Sequence, residues 1–79
     1  MSPTVFQYKE YRFYFFSREE TRMHVHVYSP DGEGKFWLEP VVALVESYGL
    51  NAKQIKAVQK IVEGHKHEIE KSWKKHFKR

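Results

Sequence analysis

Four short stretches rich in β-branched and aromatic residues, one of them strictly alternating, fill the first half of the chain, and the second half changes to helical spacing. Thr4–Tyr8 and residues 11–17 are dense in β-branched and aromatic side chains and are separated only by Lys9-Glu10, which predicts a hairpin. Along residues 23–28 the alternation is strict. Met23, Val25 and Val27 share one face of a strand, and His24, His26 and Tyr28 share the other. The apolar face is expected to meet the core. Residues 29–34 gather Pro30, Asp31, Gly32 and Gly34 and predict a turn into a strand over 35–38. The register of this second hairpin stays open, and with it the face on which Trp37 lies, because a slip of one residue reverses every side chain.

Pro40 suits the first position of a helix, and Val41, Leu44, Val45 and Tyr48 then recur on one helical face before Gly49. A second helix is better marked. Asn51 and Gln54 have the spacing of a capping box, and Leu50 and Ile55 that of a hydrophobic staple. Ile55, Val58, Val62, Ile69 and Trp73 continue as one stripe, with Ile61 beside it and Phe77 one turn past Trp73. Unbroken to the C-terminus, this helix would be about 40 Å long, so its end is expected to overhang or bend. Gly64 reads as a tolerated surface glycine. The expected order is ββββαα: an α+β domain with a four-stranded antiparallel sheet and two C-terminal helices packed on one face.

With 79 residues, 41% hydrophobic, 30% charged and 16% aromatic, the chain fits a single globular domain spanning 1–79. The absence of cysteine excludes disulfides, thiolate metal sites and cysteine nucleophiles. No apolar run has the length of a signal or membrane-spanning segment, so a cytoplasmic protein with no membrane association is expected. The net charge of +4 is uneven: Lys71, Lys74, Lys75, Lys78 and Arg79 follow one another with no acidic residue after Glu70. Such an end either attracts a phosphate polymer or acidic partner, or simply offsets the negative pole of a helix.

His24 and His26 are the candidate chemistry, because imidazole titrates near neutrality and is a common metal ligand. Cleavage of RNA through its 2′-hydroxyl would need a base and an acid, His26 and His24, with Arg12 or Lys35 for the phosphate and Tyr14, Tyr28 or Trp37 for stacking. A metal would need a third ligand. Asp31 and Glu33 lie on the turn, and His65 and His67, two residues apart, cannot share a helix face, so no metal site and no cofactor are assigned. The bland alternative is a pair of half-exposed strand histidines. Trp73, continuing the helical stripe, is expected in the core.

Met1-Ser2-Pro3-Thr4, the aromatic run from Tyr11 to Ser17, His24-Val25-His26-Val27, the stretch from Asp31 to Val41, Tyr48-Gly49-Leu50, and the terminal helix with Trp73 form one pattern. Together they resemble a family of short bacterial proteins, the domain of unknown function family 4160. The resemblance implies one half of a two-gene bacterial module, of a kind sometimes grouped with toxin–antitoxin systems, and implies no settled activity. Thr21-Arg22-Met23 stand where the family usually has prolines before the first histidine, which shifts emphasis to His26. The resulting expectation is a small binding or interaction protein that pairs with the product of a neighbouring gene or with itself, with RNA as a further candidate partner. Arg12, Tyr14, Tyr28, Lys35, Trp37, Lys74, Lys75 and Lys78 are its candidate binding residues. The alternative is a metal-independent ribonuclease toxin in which His24 and His26 are catalytic.

Overall fold

The structure, a computed structural model, describes residues 4–15 and 22–76. Phe16 and Ser17 of the second expected strand, and Phe77, Lys78 and Arg79, lie outside the described residues. Strands β1 (Thr4–Tyr8), β2 (Tyr11–Tyr14), β3 (His24–Ser29), β4 (Gly32–Trp37) and β5 (Ala43–Tyr48) precede helices α1 (Ala52–Gly64) and α2 (Lys66–His76). The strands form one antiparallel meander in chain order. The class is α+β with two C-terminal helices, but the sheet has five strands rather than four.

The fifth strand occupies the segment whose spacing predicts the first helix. Val41, Leu44, Val45 and Tyr48 fit a helical period, yet eight residues are too few for periodicity alone to separate helix from strand. The valines favour an extended chain, and β4 supplies a ladder: Glu33 pairs with Tyr48, Lys35 with Glu46 and Phe36 with Leu44, with a bulge between the last two pairs. Close backbone contact seals the arrangement. A Cβ on Gly32 would fall on the Tyr48 carbonyl, and one on Gly49, at φ 81°, would fall on the Asp31 carbonyl. Gly49 therefore ends a strand, not a helix.

The other turns follow the sequence more closely. Lys9, without glycine or asparagine to help, takes φ 56° between β1 and β2, a left-handed conformation that costs about 1–2 kcal/mol. Pro30-Asp31 turn β3 into β4, and Ser29 Oγ donates to the Gly32 carbonyl at 3.1 Å. At α1, Asn51 Oδ1 accepts from the Gln54 amide at 2.8 Å while the Asn51 amide donates to Gln54 Oε1 at 3.0 Å. Gln54 Nε2 also donates to Asp31 Oδ2 at 2.9 Å, which ties the start of the helix to the β3–β4 turn.

The long C-terminal helix is two helices. His65 interrupts it at φ −115°, ψ 17°, with its amide bonded to the Ile61 and Val62 carbonyls and its Nδ1 2.9 Å from the Ile61 carbonyl. Its ring stacks on Phe6 of β1 at 4.8 Å, so the break is held by packing on the sheet. Gly64, just before it, has open space around its Cα. Val58, Val62, Ile69 and Trp73 close over Phe13, Val25, Val27 and Phe36, all buried in one cluster. Tyr11 lies at its margin, where burial first, and then Glu10 and Asp31, raise its phenol above 10.0.

Candidate binding surface

Strand alternation gives the sheet a second face, and its register arranges that face in three rows. Arg12, Tyr28, Glu33 and Tyr48 lie side by side across β2 to β5; Tyr14, His26, Lys35 and Glu46 form the next row; His24, Trp37 and Ala43 form the third. Directly opposed side chains in such rows are in contact range. The β3–β4 register settles the position of Trp37. It is on the histidine face, opposite His24.

The middle row forms a shallow concavity of about 100 Å³ lined by Tyr14, His26, Glu33, Gly34, Lys35, Glu46 and Tyr48. Tyr14 and His26 stack at 5.3 Å between centroids with 21° between planes, and His26 Nε2 is screened from solvent. Pockets that enclose small metabolites typically hold about 300–1,000 Å³. This one is too small for that, and it mixes a cation, an imidazole, two phenols and two carboxylates.

His24 behaves differently from its neighbour. Among the described residues, β2 pairs with β3 from Arg12–Tyr28 to Tyr14–His26, and rings from β3, β4 and α2 close around His24. Its ring meets Trp37 at 5.6 Å and 89°, Trp73 of α2 at 5.3 Å and 60°, and His26 at 5.1 Å and 77°. Nδ1 is 2.8 Å from the Arg22 carbonyl. The residue is fully buried, at 0% exposure, and is part of the packing that holds α2 to the end of the sheet. Trp73, in the core as its stripe predicts, also meets Phe15 edge-on at 5.3 Å.

Trp37 is approached by two cations, the Arg22 guanidinium at 4.2 Å and Lys35 Nζ at 5.1 Å from the ring centroid. At exposed sites each such contact is worth about 0.5–1 kcal/mol. Arg22 is further fixed by donating to the Glu39 carbonyl at 3.1 Å. The rows thus bring together Arg12, Tyr14, His24, His26, Tyr28, Lys35 and Trp37 on one face. Lys74 and Lys75 lie on the last turn of α2, apart from it. Helical spacing over 41–48 hides Glu46 and Tyr48, which the extended β5 brings onto this face; the valine-rich run before them is the available signal. Among the described residues no cluster of three His, Asp or Glu is placed to hold a metal ion.

Residues 11–74, from β2 to the last turn of α2, match the family described as domain of unknown function (DUF4160). The chain belongs to that family. No curated protein and no solved structure matches it. Within this DUF4160 domain the matched stretch contains all three rows of the open face, whereas β1 lies before it.

Proposed function

We propose that this DUF4160 domain works by binding a protein, the product of a neighbouring gene in a two-gene bacterial module, on the open face of its sheet. The observation that carries this reading is the exposure of large aromatic side chains there: Tyr28 is 50% and Tyr48 69% exposed, both in the row next to the Tyr14–His26 stack. Tyrosine presents a large rigid contact area and is enriched at interface hot spots. β5, which carries Glu46 and Tyr48 on this face, is an outer strand of the sheet, where a partner strand can also add main-chain hydrogen bonds. The ribonuclease alternative is disfavoured by the burial of His24, since a proton donor must reach its substrate within hydrogen-bond distance.

Titration calorimetry with the purified neighbouring protein tests the reading. Binding is expected, with at least a roughly tenfold loss in the Tyr28→Ala, Tyr48→Ala double variant, whose circular dichroism should match the parent. Absence of binding to that protein, together with a strictly monomeric domain at high concentration, would overturn it. So would cleavage of RNA by the parent but not by His26→Ala.

A further inference from the structure

The two halves of the chain have opposite charge, and the described part of the positive half, up to residue 76, forms the two helices. Residues 51–79 hold nine Lys and Arg against three Glu, whereas residues 1–50 hold five against seven Asp and Glu. On α1 the buried residues are Val58 and Val62. At 100° per residue, Lys53, Lys56 and Lys60 fall diametrically opposite them, and all three are exposed. On α2 the buried pair is Ile69 and Trp73, and Lys71, Lys74 and Lys75 are exposed on the outer side.

The acidic residues of these helices do not neutralise that surface. Glu68 faces His65 at 3.9 Å, Glu70 faces Lys66 at 3.9 Å, and Glu63 accepts from Gln59 at 3.4 Å. Among the described residues, none of the six outward lysines makes an ion pair. The first turn of α1 carries Lys53 and no acidic residue, so its charge adds to the positive pole of the helix instead of offsetting it. Stability alone would favour the reverse arrangement. Helix-end chemistry accounts for Lys74 and Lys75 but not for Lys53, Lys56 and Lys60.

We propose that the outer surface of α1 and α2 docks the phosphate backbone of a nucleic-acid duplex, independently of the protein-binding face on the sheet. Charge complementarity selects a polyanion, and the residue types narrow it. A helix that lies on a membrane needs large apolar side chains on its outer side, but here Val58, Val62, Ile69 and Trp73 are all turned into the core. Single strands are held by stacking on aromatic rings, and Trp73, the one Trp, Tyr or Phe among the described helical residues, is buried. Lysine reads phosphate as a point charge and carries no base code, so recognition is independent of sequence. The Lys53–Lys60 row is about 10 Å long, against one phosphate charge per about 1.7 Å of duplex axis.

Fluorescence anisotropy with labelled DNA and RNA duplexes of about 20 base pairs, across a salt series, tests the proposal. Both duplexes should bind within a few-fold of each other. With five or six phosphates engaged, log K should fall with log salt at a slope of about −4.5 to −5.5. The Lys53→Gln, Lys56→Gln, Lys60→Gln triple variant should flatten that slope by about 3 and bind about tenfold or more weakly, with an unchanged circular dichroism spectrum. The Lys71→Gln, Lys74→Gln, Lys75→Gln variant should act in the same direction, and the Tyr28→Ala, Tyr48→Ala variant should bind duplex like the parent. Failure of the parent to bind either duplex at low salt would overturn the proposal. Equal affinity in parent and both lysine variants, or binding to phosphatidylserine vesicles without binding to duplex, would do the same.

Discussion

The two faces of this sheet are built from the same strands, yet they answer to different physics. On the covered face, Phe13, Val25, Val27 and Phe36 are fully buried beneath Val58, Val62 and Ile69. Their neighbours one residue away, Arg12, Tyr14, His26, Tyr28 and Lys35, form rows of mixed polar and aromatic character that none of the described helices covers. Burial of apolar area drives folding on the first face, and only pairwise contacts act on the second. In a domain this small, substitutions on the covered face remove the fold, and those on the open face leave it standing. His24 breaks the rule: it belongs to the open face by alternation and to the core by packing.

Phe13→Ala should show the largest effect. Truncating a fully buried phenylalanine that stacks on Phe6 at 4.6 Å is expected to cost about 3–5 kcal/mol, enough to leave most of the chain unfolded by urea titration at room temperature. If Phe13→Ala kept a sharp transition near the parent midpoint, the covered face would not be the source of stability. Gly49→Ala comes next. Its positive φ and the contact with the Asp31 carbonyl should cost more than about 2 kcal/mol and detach β5, removing Glu46 and Tyr48 from the open face. Hydrogen exchange should then show loss of protection in the amides of β5 before those of β3.

The histidines divide the faces most finely. His24→Ala should lower stability by about 2–3 kcal/mol, because it opens a cavity among Trp37, Trp73 and His26, whereas His26→Ala should cost about 1 kcal/mol or less. Equal midpoints for the two variants would remove the distinction. The smallest effect is at Tyr11, where burial favours the neutral phenol. The unfolded chain loses this proton first, so stability is fully present below the unfolded value of about 10 and falls as pH rises through the higher folded value. Tyr11→Phe should abolish that alkaline decline when urea midpoints at about pH 9 and about pH 11 are compared.

Local signals were legible wherever a few neighbouring residues suffice. Met23 to Tyr28 assign their faces by alternation alone, Pro30-Asp31 mark a turn by residue type, and the Asn51–Gln54 capping box marks a helix start with bonds between residues three apart. Val41 to Tyr48 were not legible, because the same spacing satisfies a helix, and the ladder to β4 and the Gly32–Gly49 contact that decide otherwise come from elsewhere in the chain. The helix break was equally hidden: His65 is displaced by stacking on Phe6, about sixty residues earlier in sequence.

The candidate surface divides along the same line. Sequence placed His24, His26, Tyr28, Arg12 and Tyr14 on sides of their own strands, and counted the positive charge of the second half, because alternation and composition are properties of a chain segment. Only the tertiary structure aligned those strands, set Trp37 opposite His24, brought Trp73 against it, and turned Lys53, Lys56 and Lys60 outward as a layer. Register and burial are set by which distant segments pack together, and that packing made one histidine part of the core and left the other at the wall of an open surface.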